Sequence, residues 1–202
     1  MFVSLNCEKM VWLEVETKVK VKNPNELRKK ILKIAKLDKK ESRSDDYFAL
    51  KRKFRRHGYP KKAFRIRHKP DKHEINFKKR LYKYWDDYIV VKQEFEFETK
   101  NPDEFLALMF DLGFKQWVKK FKVSESYLHK KDKKIIIEIN KVKHLGYFME
   151  IEYLCQPSEM KMAKRKIMNV LKELGIEKKD VDNVGYTKRL WDKGIKDKKY
   201  WA

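Results

Sequence analysis

In residues 11–22, mostly apolar side chains at odd positions alternate with mostly charged side chains at even positions. This alternation constrains the fold more than any other feature of the sequence. Successive side chains of a β-strand point to opposite faces, so Glu14, Glu16 and Lys18 project from one face. Two carboxylates beside an ammonium group can hold a divalent cation and, next to it, a phosphate oxygen. An amphipathic strand with its charged face in solvent gives the same pattern, and for one strand alone it is the commoner arrangement.

The balance of charge restricts the class of partner. The 202 residues include 52 Lys and Arg against 30 Asp and Glu, which gives a formal net charge of +22. Such an excess favours polyanionic partners: nucleic acid, an anionic membrane surface, nucleotides or polyphosphates. A lysine-rich surface of the kind found in thermophile proteins explains part of the same excess. The hydrophobic share of 42% is sufficient to fill a core.

Cysteine usage and hydropathy indicate the compartment. Cys7 and Cys155 are too few and too far apart for a disulfide framework, so we expect a reducing environment. No stretch approaches the roughly 20 apolar residues of a membrane helix. Residues 1–8 lack the basic segment with which a signal peptide begins. These features predict a cytoplasmic protein without a membrane segment.

The same order of elements occurs twice along the chain. The strand at 11–21 runs into Asn23-Pro24-Asn25-Glu26, and the strand at 89–99 runs into Asn101-Pro102-Asp103-Glu104. In both, Asn suits the N-cap, Pro the first helical position and Glu a capping box. We therefore predict a duplication, at 11–82 and 89–154, of a strand, a helix and three strands. The apolar helical faces comprise Leu27, Ile31, Ile34 and Ala35 in the first copy and Phe105, Leu108, Met109 and Leu112 in the second.

The rest of the chain fits that plan. The remaining strands are predicted near 46–53, 62–69 and 73–80 in the first half, and near 117–128, 134–141 and 147–154 in the second. After Gln156-Pro157, apolar residues at helical spacing predict a helix that ends at Gly175, followed by a shorter helix from Tyr186 to Trp191. No Gly- or Ser-rich linker separates the halves, so we expect one domain over 1–202, with a helical region at 157–192.

Almost every predicted strand has one apolar face and one face of mixed charge. A sandwich with its polar faces outward gives this pattern. A curved antiparallel sheet also gives it, if helices cover an apolar outside and the charges point inward. Unpaired charges inside a protein cost several kcal/mol per ion, so the second arrangement requires a wet tunnel that holds a polyanion and its metal. The residues alone leave both arrangements open.

Several segments together carry a resemblance to a known family. They are the Glu14-x-Glu16-x-Lys18 strand, Phe64-Arg65-Ile66-Arg67, the Lys78 strand, Glu94-x-Glu96, Lys122 and the stretch from His144 to Glu152. The chain resembles the CYTH family of triphosphate tunnel metalloenzymes, which includes class IV adenylate cyclases and thiamine triphosphatases, over about residues 11–191. The resemblance implies an α+β fold: an eight-stranded antiparallel β-barrel, the triphosphate tunnel, with flanking helices.

The resemblance also implies roles for particular side chains. Glu14, Glu16 and Lys18 would form the catalytic set. The implied ligands of Mg²⁺ or Mn²⁺ are Glu14, Glu16, Glu150 and Glu152. The implied triphosphate-binding residues are Lys18, Arg65, Arg67, Lys78, Lys92 and Lys122. Glu94 and Glu96 would orient the basic groups or help to bind a second metal.

Three positions depart from the family pattern. Ser124 stands where an Arg is usual, three residues before Tyr127, and Asn140 stands where an Asp is usual. Lys92 replaces an Arg, which keeps the charge but loses the bidentate fork. Ser124 removes a phosphate-binding cation whose charge-assisted hydrogen bond contributes ~1.5–3 kcal/mol. We therefore expect substrate binding to survive more readily than any one specific family activity.

Other candidate sites are weaker. The five histidines, His57, His68, His73, His129 and His144, show no paired metal-ligand spacing. The six glycines form no phosphate-binding loop. The densest basic run, residues 51–59, is interleaved with aromatics, and a solvated hairpin is favoured there over an RNA-binding segment.

Three functions follow from these observations. The leading hypothesis is metal-dependent hydrolysis of inorganic triphosphate, a nucleoside triphosphate or thiamine triphosphate. The first alternative is a class IV adenylate cyclase that makes cyclic AMP and pyrophosphate from ATP. The second is a non-catalytic binder of polyphosphate or RNA. We expect a small triphosphate as the partner, with nucleic acid less favoured, and either a monomer or a homodimer.

Overall fold

A computed structural model describes residues 12–51, 58–60, 62–69 and 71–195. The strands within these residues are β1 Leu13–Val21, β2 Ala35–Leu50, β3 Phe64–His68, β4 His73–Arg80, β5 Val90–Thr99, β6 Phe114–His129, β7 Ile135–Val142 and β8 Gly146–Cys155. The helices whose full lengths are described are α1 Pro24–Ile34, α2 Asp103–Asp111, α3 Met160–Glu173 and α4 Tyr186–Asp192.

The eight strands form one closed antiparallel barrel. Their order around the barrel is β1, β5, β4, β3, β2, β6, β7, β8, so that β8 returns to β1. β1 pairs with β8 along its whole length, from Leu13 opposite Cys155 to Val21 opposite Tyr147. The predicted sequence of strand, helix and three strands, occurring twice, is confirmed, and so is the closed antiparallel sheet.

The apolar faces of β1 and β8 lie on the outside of the barrel, beneath α3. Val15 of β1 and Ile151 of β8 belong to the same buried cluster as Ile167 and Leu171 of α3, and all four are fully or almost fully buried. The charged faces of these strands therefore point inward. The structure excludes the alternative of a sandwich with outward polar faces.

The second strand is longer than predicted. It begins at Ala35, directly after α1, whereas the sequence analysis assigned Ala35 to the helix and began the strand near residue 46. The N-terminal half of β2, which was not predicted, pairs with β6, with Ala35 opposite His129. Its residues 36–40 are exposed. Because four of these five residues are charged and the segment is held by backbone pairing with a distant strand, no local alternation marks it.

The two helix starts differ from each other. Asn23 caps α1 as predicted, its side chain accepting a hydrogen bond from the Glu26 amide at 3.2 Å. In the second copy, Asn101 Oδ1 accepts from the Asp103 amide at 3.0 Å, and α2 begins at Asp103 rather than at the proline. The predicted N-cap at Asn101 is therefore wrong by one residue.

The predicted apolar face of α2 is only partly correct. Phe105 and Met109 pack against the cluster formed by Phe48, Phe64, Ile66 and Ile75. Leu108 and Leu112 are 54% and 56% exposed, so they do not belong to the core. This short helix presents only one side to the barrel, and Phe105 and Met109 lie on that side.

A C-terminal strap, residues 181–186, lies along the part of β1 that β5 does not reach. Val181 forms a bridge with Val19, and the Asp182 amide donates to the Lys18 carbonyl at 2.7 Å. The side-chain oxygen of Asn183 accepts from the Lys18 amide at 2.9 Å. These contacts carry the chain to α4 at one end of the barrel.

Two further predictions concern regions that the structure describes incompletely. Of the basic run at 51–59, residues 52–57 lie outside the described residues, and His57 is among them. Cys7 also lies outside the described residues. Within the described residues, every helix is too short or too polar to cross a lipid bilayer.

Candidate active site

The inside of the barrel is a cavity of about 730 Å³. Every residue that the sequence analysis assigned to the site lines it: Glu14, Glu16, Lys18, Arg65, Arg67, Lys78, Lys92, Glu94, Glu96, Lys122, Glu150 and Glu152. These residues come from six different strands, and the inward face of each strand contributes alternate positions. The structure thus brings all the predicted site residues into one space.

Five glutamates gather in two overlapping triads. Carboxylate oxygens of Glu14, Glu16 and Glu152 lie within 4.8 Å of one another, and so do those of Glu138, Glu150 and Glu152. Strand pairing produces this arrangement, because Glu16 is opposite Glu152 and Glu138 is opposite Glu150. Glu152 belongs to both triads, and Glu138 is a member that the sequence analysis did not assign.

Burial raises the pKa of all three carboxylates of the first triad, but the net pKa differs between them. Desolvation is the main cause that raises the pKa of Glu16 to about 7, with repulsion from Glu14 adding to it. Burial also raises the pKa of Glu152 well above its usual value, and the neighbouring glutamates increase the effect. For Glu14 the effect of burial is outweighed by Lys78 and Lys92, which together hold its pKa well below the usual value.

The first triad has the properties of a site for a divalent cation. Two carboxylates about 4 Å apart repel by roughly 4 kcal/mol at an effective dielectric constant of about 20, so the cluster gains from a cation among its members. Glu14 Oε1 is buried without a hydrogen-bond partner among the described residues, and Lys92 Nζ lies 3.8 Å from it. Carboxylate oxygens are the ligands that Mg²⁺ and Mn²⁺ prefer. The residues present therefore fit such an ion.

Lys78 and Lys92 face the first triad from β4 and β5. Lys78 Nζ contacts the Glu14 carboxylate and lies 3.3 Å from Glu94, while Lys92 contacts Glu16. Burial is the largest single influence and lowers the pKa of both lysines, but Glu14 acting together with Glu94 on Lys78, and with Glu16 on Lys92, outweighs it. The net pKa of each lysine is therefore raised. Both side chains remain charged in the interior of the barrel.

Asp45 on β2 organises a second group of cations. It is fully buried, and its carboxylate accepts from Arg67 at 2.7 and 3.2 Å and lies 2.9 Å from Lys120 Nζ. Arg65 Nη1 is 3.9 Å from the same carboxylate. Asp45 was not predicted as a site residue, because the predicted strand began after it. Lys120 was not predicted either, although Lys120 and Lys122 share one face of β6.

The predicted supporting residues lie beside this group. Glu96 accepts a hydrogen bond at 2.9 Å from Asn76, which also donates to Glu94. Burial is the main cause that raises the pKa of Glu96. Arg65 donates to Glu74 at 2.7 Å, so this part of the wall is a chain of alternating cations and anions.

Two of the three departures from the family pattern, Ser124 and Asn140, form a pair with each other. Ser124 Oγ donates to Asn140 Oδ1 at 2.6 Å, and both residues are fully buried. Asn140 Nδ2 donates to Glu150 Oε2 at 2.9 Å. A neutral pair therefore supports one carboxylate of the second triad. Lys122 Nζ lies 3.1 Å from Glu138 and 3.9 Å from Glu150.

Lys18 lies where the C-terminal strap closes over the cavity. Its Nζ donates to the Val184 carbonyl and stands 4.7 Å from the centre of the Tyr186 ring. Burial is the main cause that lowers the pKa of Lys18. Lys120 Nζ also faces the Tyr186 ring, at 5.4 Å from its centre. Tyr186 was not predicted as a site residue, since only the folded strap brings it there.

Comparisons with known proteins agree with this geometry. The family model of the CYTH domain matches residues 13–186. The PH1819 protein of Pyrococcus horikoshii OT3 is 28% identical with a TM-score of 0.71, covering 89% of this chain and 99% of that chain. The PH1012 protein of the same organism is 28% identical with a TM-score of 0.68, covering 87% and 98%.

A more distant structure shares the fold. HpAC1 from Hippeastrum, a protein with a dominant triphosphatase activity, is 16% identical with a TM-score of 0.61, covering 90% of this chain and 96% of that chain. No curated protein matches the sequence.

Proposed function

This chain belongs to the CYTH family, and on that basis we propose that it is a metal-dependent enzyme that hydrolyses a triphosphate-containing substrate inside its barrel. One observation carries the proposal. Two triads of carboxylates share a buried cavity with cations from several strands. Such a cavity matches the charges of a linear triphosphate and its metal ion.

The carboxylates of the triads would hold Mg²⁺ or Mn²⁺. Glu14, Glu16 and Glu152 form one set of oxygen ligands, and Glu150 with Glu152 contributes to the other. When bound, the ion supplies positive charge beside the phosphates and acidifies a water molecule. The strands hold the glutamates in place through backbone pairing, so the ligand geometry is largely fixed before the ion binds.

The cations of the wall would bind the phosphate oxygens. In the structure Lys18 donates to a carbonyl and each of the other cations contacts a carboxylate, so at most of these positions a phosphate would replace another anionic partner. Phosphoryl transfer needs positioning and neutralisation of charge more than it needs a covalent nucleophile. The residues assigned to this role are Lys18, Arg65, Arg67, Lys78, Lys92 and Lys122.

Cyclisation of ATP is the second candidate, and one observation favours it. Tyr47, Tyr59, Trp117 and Tyr186 line the same cavity, and aromatic rings can stack on a nucleobase. The cyclase reaction differs in its nucleophile, which is the 3′-hydroxyl of the substrate's own ribose rather than water. The binding of the triphosphate by the barrel wall would be the same in both reactions.

Product analysis tests the proposal directly. The protein is incubated with tripolyphosphate, ATP or thiamine triphosphate in Mg²⁺ or Mn²⁺, beside the variant Glu14→Gln/Glu16→Gln and the surface control Glu26→Gln. Phosphate release that requires metal and is lost only in the double variant supports the hydrolase. Cyclic AMP with pyrophosphate supports the cyclase. Binding without turnover of all three compounds contradicts both and supports the non-catalytic binder.

The proposal also covers the partner, the cellular location and the oligomeric state of the enzyme. A small triphosphate is the expected partner, since the cations face the interior of the barrel. A cytoplasmic location and a monomeric or homodimeric state are expected on the grounds given by the sequence. Size-exclusion chromatography with light scattering would decide between monomer and dimer.

A further inference from the structure

Arg43 is a tunnel cation outside the set predicted from the sequence. It lies on β2, directly opposite Lys122 of β6, and its side chain is 11% exposed. Its guanidinium reaches Glu138 on β7, with Nη2 2.9 Å from Oε1 and Nη1 3.4 Å from Oε2. It also contacts Glu41 on its own strand. The side chain therefore crosses the inner face of β6 to reach the second carboxylate triad.

Two serines on β6 allow this crossing. Neighbouring strands are ~4.8 Å apart, so a side chain from β2 has to span about 10 Å to reach β7. The inward residues that follow Lys122 on β6 are Ser124 and Ser126, and both are buried. Their hydroxyls are turned away toward β7, where Ser124 donates to Asn140 at 2.6 Å and Ser126 donates to Glu138 at 2.8 Å. A long side chain at position 124 would compete with Arg43 for this space.

Arg43 and Lys122 share one carboxylate. Lys122 Nζ lies 3.1 Å from Glu138 Oε2, and Arg43 lies against both oxygens of the same group. The attraction of these two cations outweighs the effect of burial, which is the largest single influence, and holds the pKa of Glu138 far below its usual value. Two cations and the Ser126 hydroxyl therefore share one carboxylate, and the same cations also face Glu41 and Glu150. A further anion beside Lys122 would lie within reach of the Arg43 guanidinium.

We propose that Arg43 binds a phosphate group of the substrate, supplying from β2 the guanidinium that Ser124 does not supply from β6. This inference rests on the proposed function, because it assigns a residue to the same triphosphate site. A guanidinium presents two parallel N–H donors to a phosphate, which an ammonium group does not. Arg43 thus gives this part of the wall the bidentate contact that Lys122 lacks.

Binding of tripolyphosphate, measured by calorimetry with and without Mg²⁺, tests the assignment. Arg43→Gln is expected to weaken binding about 10- to 100-fold, since a charge-assisted bidentate contact is lost. The affinity of Arg43→Lys for tripolyphosphate is expected to lie between that of Arg43→Gln and that of the wild type. Arg28→Gln is the matched control, because Arg28 pairs with Glu125 at 2.7 Å outside the tunnel. The control should bind tripolyphosphate as the wild type does.

Moving the guanidinium from position 43 to position 124 distinguishes a phosphate-binding role of Arg43 from a purely structural one. Ser124→Arg in the wild-type background places a second guanidinium in an occupied space and should not strengthen binding. In an Arg43→Ser background, the same substitution should recover at least about tenfold of the lost affinity, since the guanidinium returns to the same region. The thermal midpoints of all variants are measured in the same buffer.

The outcomes are distinct. Wild-type binding of tripolyphosphate with no weakening in Arg43→Gln overturns the inference and leaves the proposed function standing. Absence of binding by the wild-type protein overturns both. If Arg43→Gln does not fold, Arg43→Lys decides, because it keeps the charge near Glu138 and loses only the fork. Unchanged affinity in Arg43→Lys then overturns the inference, and affinity reduced severalfold supports it.

Discussion

Lys120 Nζ lies 2.9 Å from Asp45 Oδ2 across the β2–β6 pair, and Asp45 has no contact with solvent. The same carboxylate accepts two hydrogen bonds from Arg67. Burial is the largest influence on Asp45, but the surrounding cations outweigh it and hold its pKa well below the usual value. One buried anion therefore holds several buried cations in place.

Removing this anion should destabilise the barrel. Asp45→Asn leaves Lys120 and the two arginines with less opposing charge, and breaking a buried pair by removing one partner costs about 3–5 kcal/mol. Urea unfolding measures the free-energy difference. Asp46→Asn is the matched control, since Asp46 points to the other face of β2 and lies 3.8 Å from Lys119. A loss in Asp45→Asn no larger than in the control would contradict the anchoring role of Asp45.

Glu74 should make the stability of the protein dependent on acid pH. Burial raises the pKa of Glu74, but Lys69, Arg65 and Arg67 outweigh it and lower the pKa from 4.5 to about 2. A lowered pKa gives stability that is present above about pH 4.5 and is lost as the pH falls toward 2.

The variant Glu74→Gln measures this contribution. At pH 6 it should be less stable than the wild type by on the order of 2 kcal/mol after allowance for screening. The difference should shrink between pH 4.5 and 2, as seen in thermal midpoints across that range. Glu98→Gln, at the facing position on β5, is the exposed control. The hydrogen bond from Lys72 lowers the pKa of Glu98 as well, but solvent screens this exposed pair, so its trend with pH should be much smaller. A constant difference at every pH would contradict the assignment.

Glu152 should link stability to divalent cations. It belongs to both triads and its pKa is raised chiefly by burial, so an ion should stabilise the wild-type fold. At a Mg²⁺ concentration about 100 times the Kd, the gain is about 2.7 kcal/mol, visible as a higher thermal midpoint.

Glu152→Gln should lose most of this dependence on Mg²⁺. Without metal it should be at least as stable as the wild type, because one buried like charge is removed. Glu177→Gln, in the exposed segment after α3, serves as the control. Equal Mg²⁺ shifts in the wild type and Glu152→Gln would show that the triads are not the cation site.

Asn140→Asp should destabilise the protein in the absence of metal. The substitution removes the amide that donates to Glu150 at 2.9 Å and places a second carboxylate there. A lost buried hydrogen bond to a charged group costs roughly 1–3 kcal/mol, and repulsion adds to it. Mg²⁺ should restore part of the loss, since the new carboxylate adds a ligand. Thermal midpoints with and without Mg²⁺ check both statements, and Asn25→Asp on α1 is the surface control.

Much of the site could be predicted because it depends on local geometry. In β1, the alternation of Glu14, Val15 and Glu16 follows from the two-residue period of a strand, which needs no tertiary partner. The same period placed Lys78, Lys92 and Lys122 correctly on the charged faces of their strands. The proline and asparagine at the start of α1 act within a few residues of each other, and the predicted cap at Asn23 is confirmed.

The remaining features depend on contacts between residues far apart in the chain. Asp45 and Arg43 lie in the polar half of β2, which pairs with β6 through backbone hydrogen bonds that leave no pattern in the sequence. Tyr186 reaches Lys18 only because the strap follows β1.

The sequence by itself determined that each strand has a charged face and which residues lie on it. Only the tertiary structure decided that these faces point inward. The direction depends on which face the helices cover, and Ile167 and Leu171 of α3 cover the apolar face of β1 and β8. Burial of apolar area against those helices and closure of the barrel by β1 and β8 are long-range events, and together they enclose the charges in one cavity.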